Sequence, residues 1–222
     1  KADLVLVLSE QWRCWIKMAL GLSNHIEVLY NPCPIVNRRD DLRKNHILFA
    51  GTIISRKGYE TLIRGFARIA QEHSDWKVIF AGNGEIANAM KIVECCGIQN
   101  QVEFLGWVTD KDKEKVFQEA SVYCLASDGE GFPMGVLDAW AYGIPCVVTP
   151  VGGIPDIVVD GENGLVFSIG DVDGLANKLR MIISDRTLRK NIVLGQDKYV
   201  KGAFNINGIN RKLEKIYTRL LE

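Results

Sequence analysis

"VYCLASDGEGFPMGVLDAWAYGIPCVVTP" runs from Val122 to Pro150. Two short apolar runs, VYCLAS (122–127) and PCVVTP (145–150), flank a helical pattern at 133–142. Apolar runs of this length without alternation read as strands buried on both faces. The segment between them is long enough for the crossover helix that two parallel strands need. The stretch therefore predicts a strand–helix–strand unit of a parallel sheet.

The same rhythm extends outward. HILFAGT (46–52) is a strand closing on Gly51, and KGYETLIRGFARIAQEH (57–73) is an amphipathic helix with Leu62, Phe66 and Ile69 on one face. WKVIFAG (76–82) is a strand, and EIANAMKIVECCG (85–97) is a helix stopped by Gly97. QVEFLG (101–106) is a strand, 110–120 a helix, and GLVF (164–167) a last short strand. Strands alternating with helices through short glycine-containing links predict an α/β fold with a doubly wound parallel sheet. Ligands of such a sheet bind beyond the carboxyl ends of its strands.

Both ends of the chain differ from this pattern. ADLVLVLSE (2–10) reads as a strand and a helix start at Ser9, so the fold begins in mid-rhythm, as expected of a fragment. Residues 171–222 read as mostly helical, with Asp171 as a cap. Ile209, Leu213, Ile216, Tyr217 and Leu220 then form one apolar stripe. That stripe packs either on the parent sheet or on a domain outside this chain.

Composition narrows the function classes. The 222 residues suffice for one domain with a large core, or one domain and a piece of another. Lys plus Arg and Asp plus Glu both total 27, which lacks the basic excess of a duplex nucleic-acid reader. The pairs Arg38-Arg39 and Arg189-Lys190 read as solvated surface. Cysteines at 14, 33, 95, 96, 124 and 146 show no C-x-x-C spacing. Cys124 and Cys146 lie in apolar runs where cysteine acts as a small hydrophobe. A reducing, cytoplasmic compartment is therefore expected. His25, His46 and His73 are scattered, so no metal site is expected. No stretch approaches the length of a transmembrane helix.

The loop before the helix at 133–142 carries the most chemistry. Pro133 suits a first helical turn. The amides of Met134, Gly135 and Val136 are then unpaired at a positive helix end able to seat a phosphate. Gly131 and Gly135 keep side chains clear. Glu130 precedes the turn and Asp138 lies about one turn inside the helix. An anion seat between two hydroxyl-binding acids suits a sugar–diphosphate–ribose ligand. The alternative is that both acids only favour the helix end electrostatically.

Three further stretches qualify. GTIISRKGYETL (51–62) sets Arg56 and Lys57 in a loop at a strand's carboxyl end, where they suit phosphate oxygens. It lacks the P-loop spacing, and a solvated turn is the alternative. AGNGEIA (81–87) holds Gly82-x-Gly84-x-x-Ala87 between strand and helix, with Glu103 about 20 residues on. It reads as a dinucleotide fingerprint or as a tight turn without a ligand. TPVGGIPDIV (149–158) opens another helix end at Gly152-Gly153, capped from within by Asp156.

Residues 130–158 closely resemble the nucleotide-sugar signature of retaining glycosyltransferases with two Rossmann-like domains, the glycogen-synthase and sucrose-synthase-like superfamily of GT-B fold. LYNP (29–32), ILFAGTIISRKGYETLI, VIFAGNGE, VEFLGWV and ENGLVF follow in the order of that family. The resemblance implies that 31–205 form the C-terminal, nucleotide-sugar-binding domain. Residues 1–30 are then the tail of an N-terminal acceptor domain, and 206–222 a helix that crosses back onto it. It implies transfer of a hexose from a UDP- or GDP-sugar to a glycan or lipid-linked acceptor, without metal or other cofactor. The acceptor is held through the absent domain, with peripheral association at the inner face of the membrane. By resemblance, Glu130 is catalytic and faces the donor sugar, Asp138 binds the ribose, and Val108 lies near the base. Lys57 meets the diphosphate, with Arg56, Gly51 and Thr52 in the same loop and Gly131, Phe132, Met134 and Gly135 at the helix end. The chain departs from the family at Thr52, where Arg is usual, and at Asp138 and Asp156, where Glu is usual. Two other readings stand beside this one: a non-catalytic nucleotide-sugar-binding chain, and an NAD-binding oxidoreductase domain resting on Gly82 and Gly84.

Overall fold

The computed structural model describes residues 2–21 and 25–221. The chain opens with a small unit of β1 (Val5–Val7), α1 (Glu10–Leu20) and β2 (Ile26–Val28). β1 and β2 pair in parallel with Val5 opposite Ile26. Ser9 caps α1 by accepting from the Trp12 amide, and Gly21 closes it in the left-handed region at φ 63°. Trp15, Met18 and Leu20 of this helix are exposed.

The main body alternates as expected: β3 (His46–Ala50), α2 (Tyr59–Ala67), β4 (Lys77–Ala81), α3 (Ile86–Cys96), β5 (Val102–Gly106), α4 (Asp110–Glu119), β6 (Val122–Leu125), α5 (Met134–Ala141), β7 (Cys146–Val148), α6 (Ile154–Ile157) and β8 (Leu165–Val166). α7 (Val172–Ser184), α8 (Arg186–Lys201) and α9 (Ile206–Leu221) complete it. β3 to β8 form one parallel sheet in the order β5-β4-β3-β6-β7-β8. The order runs outward from β3 in one direction and from β6 in the other. This is a doubly wound Rossmann-like sheet whose switch point lies between β3 and β6.

The central strands β3, β4, β6 and β7 are buried on both faces because each face packs its own core, whereas the edge strand β5 is half-exposed. On one side Ile47, Phe49 and Phe80 meet Leu62 and Phe66 of α2 and Leu179 of α7. On the other, Leu48 and Tyr123 meet Val136 and Trp140 of α5. Cys124 and Cys146 are buried in these layers as free thiols, whereas Cys14 and Cys95 are exposed. Burial pushes the Cys124 and Cys146 thiols well above their ordinary value.

The helix expected at 57–73 is shorter. Lys57 ends a 3-10 turn (Ser55–Lys57), and α2 begins only at Tyr59. Gly58 separates them at φ 69°, where a Cβ would lie 1.8 Å from the Ala126 carbonyl oxygen. Only glycine lets the loop after β3 pass this close to the end of β6.

α9 lies against the opening unit. Its Ile209 and Ile216 are buried, Lys212 Nζ donates to the Val28 carbonyl at 2.6 Å, and Arg219 pairs with Glu27. Tyr217 and Leu220 remain exposed, so the apolar stripe is only partly covered. Tyr30 ties the segment after β2 to the body through rings at 5.3 Å (Phe204) and 5.8 Å (Phe132). Among the described residues no helix is long and apolar enough to cross a membrane.

Candidate functional site

The loops after β3 and β6 meet at the switch point. Glu130, its side chain only 6% exposed, accepts from Lys57 Nζ at 2.6 and 2.8 Å. The buried Ser127 hydroxyl donates to the same carboxylate at 2.6 Å. A carboxylate this buried is tolerated because both a charge and a hydroxyl satisfy it. Arg56 donates to the Gly129 carbonyl, and its own carbonyl accepts from the Asp128 amide at 2.8 Å. Arg56 therefore helps to clamp the two loops together while its side chain stays exposed.

Asp138 makes a second ion pair. Its Oδ2 accepts from Lys113 Nζ of α4 at 2.8 Å. Sequence reasoning missed Lys113, because DKDKEK (110–115) looks like any solvated helix face. Thus each candidate acid holds a lysine brought from after a different strand, Lys57 from after β3 and Lys113 from after β5.

The helix end differs from expectation in detail. The Val136 amide donates to the Pro133 carbonyl at 3.0 Å, so it is not free. Pro133 closes the first turn by an i→i+3 bond, a common way for a helix start to use an orphan amide. The amides of Met134 and Gly135 find no acceptor among the described residues. At Gly131 a Cβ would meet nothing within 4 Å. At Gly135 it would lie 2.1 Å from the Tyr123 hydroxyl, so that glycine answers to packing beneath the helix. The Phe132 ring is buried and lies against Tyr30 and Phe204, which leaves only its backbone to line the turn. The Met134 side chain is exposed and accepts from Asn31 Nδ2 at 3.2 Å.

Of the remaining expected residues, Gly51 and Thr52 follow β3 and Val108 follows β5, beyond the carboxyl ends of those strands. Gly51 has φ 141°, and Thr52 is exposed. Val108 is partly buried. With Leu48, Ile79, Leu105 and Trp107 it lines a cavity of about 280 Å³ between the sheet and α4. Asp156 does not cap α6 from within. It accepts from the Glu10 amide at 2.5 Å and so fastens the start of α1 to the body. Burial, followed by the charges of Asp156 and Glu10, pushes the nearby Tyr30 phenol up to about 12. Trp12 reaches over the site loop, its indole N–H donating to the Gly131 carbonyl at 3.3 Å.

The AGNGEIA turn is a backbone crossing. A Cβ on Gly82 would lie 1.8 Å from the Gly51 carbonyl oxygen, and one on Gly84 2.2 Å from that of Ile53. The Ile53 amide donates to Asn83 at 2.8 Å and the Glu85 amide to Ile53 at 2.7 Å. Both glycines are explained by this crossing, and Glu85 is held by the Tyr59 hydroxyl at 2.9 Å. The tight-turn reading holds, and the dinucleotide reading loses its support. Among the described residues no three His, Cys, Asp or Glu side chains gather in a way that can hold a metal.

Comparison with known proteins bears on the family and the fold. The family model described as glycosyl transferases group 1 matches residues 37–196. The chain is 30% identical over 179 residues to an uncharacterized glycosyltransferase of Methanocaldococcus jannaschii, covering 79% of this chain and 45% of that protein. It is 30% identical over 164 residues to the lipopolysaccharide core biosynthesis glycosyltransferase LpsE of Rhizobium meliloti, covering 73% and 46%. The chain thus spans about half the length of these curated relatives. The structure of Anabaena Alr3699/HepE in complex with UDP and glucose superposes with a TM-score of 0.88 at 20% identity, over 98% of this chain and 64% of that one, a likeness of fold. With signature residues gathered at the switch point and the family matched over most of its length, the chain belongs to the group 1 glycosyl transferases.

Proposed function

We propose that this chain is the donor-binding half of a retaining glycosyltransferase. It takes a hexose from a UDP- or GDP-sugar and serves a glycan or lipid-linked acceptor. The Lys57–Glu130 pair at the β3/β6 switch point, beside the open end of α5, carries this reading.

The two ion pairs contain two cations and two carboxylates, so their charges cancel. The two pairs by themselves offer a plain anion no net attraction. A ligand carrying both phosphates and hydroxyls can engage both members of each pair. Its diphosphate takes Lys57 and the amides of Met134 and Gly135, and its hydroxyls donate to Glu130 and Asp138. The acceptor hydroxyl oxygen bonds to the anomeric carbon as the bond from that carbon to the phosphate oxygen breaks; the electron pair leaves on the diphosphate, which takes up the hydroxyl proton. Lys57, Arg56 and the α5 end are placed to stabilise that growing charge, the electrostatic contribution that usually dominates. No step in this scheme calls for a metal. Residues 31–205 bind the donor, 1–30 belong to the acceptor domain, and α9 returns to it. The acceptor contacts, and any association with the inner face of the membrane, lie in the rest of the protein. The chain alone therefore binds donor but transfers slowly.

Calorimetric titration with UDP, GDP, ADP and NAD tests this. One nucleoside diphosphate is expected to bind. Lys57→Ala and Asp138→Ala each weaken it about tenfold or more, the loss of a charge-assisted hydrogen bond. Glu130→Ala is expected to spare the nucleotide and lower transfer in the longer protein. Preference for NAD, or binding of none of the four, would overturn the proposal.

A further inference from the structure

We infer that Lys113 is a second ribose-binding residue, acting beside Asp138 on the two neighbouring hydroxyls of the nucleotide's ribose. The inference rests on the donor-site reading above. Asp138 stands on α5 with its side chain 16% exposed, and only Oδ2 is engaged, by Lys113 at 2.8 Å. No donor among the described residues reaches Oδ1. A carboxylate has about four acceptor directions, so most of its capacity is open.

Lys113 is held from below. Its ammonium lies 5.6 Å from the centroid of the Phe117 ring. That ring is fully buried and stacks on Tyr123 and Tyr142. Cation–π attraction to a fixed ring keeps the ammonium in place. The Lys113 side chain is nevertheless 45% exposed, and one of its three N–H groups meets Asp138. The result is an acceptor and a donor side by side on two packed helices, each with free valence.

Two neighbouring hydroxyls are the chemical complement of such a pair. One donates to the Asp138 carboxylate, and the other accepts from the Lys113 ammonium. Asp138 reaches from α5 on a short side chain, and Lys113 supplies the second contact from α4. A lysine that merely neutralised Asp138 would sense the ligand's hydroxyls only indirectly.

Titration with UDP and GDP and with their 2′-deoxy and 3′-deoxy analogues separates these roles, using the wild-type chain, Lys113→Met and Lys113→Arg. For the wild type, loss of either hydroxyl is expected to weaken binding about tenfold. In Lys113→Met one of the two deoxy penalties falls below about twofold and the other persists, because Asp138 still serves its own hydroxyl. Lys113→Arg keeps both penalties. Because each penalty is a ratio within one variant, a change in the folded fraction does not mimic the effect. If Lys113→Met weakens all ligands alike and leaves both penalties intact, Lys113 is only a counter-ion and the inference fails while the donor site stands. If the wild type binds no nucleoside diphosphate, the donor-site reading fails and takes this inference with it.

Discussion

Gly135 shows how one residue serves two readings. From the sequence it clears space for an anion at a helix end. In the fold, a Cβ there would sit 2.1 Å from the Tyr123 hydroxyl oxygen and 3.0 Å from the ring carbon that bears it. Gly135→Ala is therefore expected to destabilise the chain by about 1–3 kcal/mol in chemical denaturation, the range for overpacking a close-packed core. Most of that loss should vanish in a Tyr123→Phe background, since the clashing oxygen is gone. An equal loss in both backgrounds would mean that the conflict lies with the backbone. Gly82 follows the same logic, meeting the Gly51 carbonyl rather than a ligand. Glycines mark places where something comes close, and only the fold says whether that is a substrate or another part of the chain.

At the scale of elements, the site depends on how α4 and α5 are anchored, since they carry Lys113 and Asp138. Arg43 does much of this. Its guanidinium donates to the carbonyls of Phe117, Gln118 and Ala120 at the end of α4, and to Tyr142 at the end of α5. A cation there satisfies orphan carbonyls and opposes the negative ends of two helix dipoles at once. Burial lowers its pKa, partly offset by Asp40. Arg43→Met leaves those carbonyls without a donor and is expected to cost about 2–3 kcal/mol. Nucleotide affinity should fall with it, because α4 and α5 then lose their common anchor. Unchanged stability in a urea titration would show that water replaces the guanidinium. Nothing in the sequence around Arg43 singles it out from the other basic residues near it.

For the whole molecule, the acid limb of stability carries a prediction from His46. This residue starts β3, and burial pushes its pKa below the ordinary 6.5, with Glu119 opposing the shift and Lys44 adding to it. The folded state therefore binds the His46 proton less readily than the unfolded state. Stability is fully present above pH 6.5 and declines as the pH falls through and below that value. Urea midpoints measured across this range should drop on acidification, and His46→Gln should flatten that drop. The alternation of strand and helix was legible in the sequence, because runs of apolar residues and helical periodicity are local properties of neighbouring residues. So were Glu130, Lys57 and Asp138 as candidates, since turns, helix ends and charged side chains are written within short windows. The order β5-β4-β3-β6-β7-β8 was not, and that order brings the loops after β3 and β6 together. Only the tertiary structure joined Lys57 to Glu130 across 73 positions and Lys113 to Asp138 across 25. It also turned the Phe132 ring inward and gave the Val136 amide to Pro133. Which partner a charge or an amide finds is settled through space, by the packing of elements that are distant in the chain, and no local pattern encodes it.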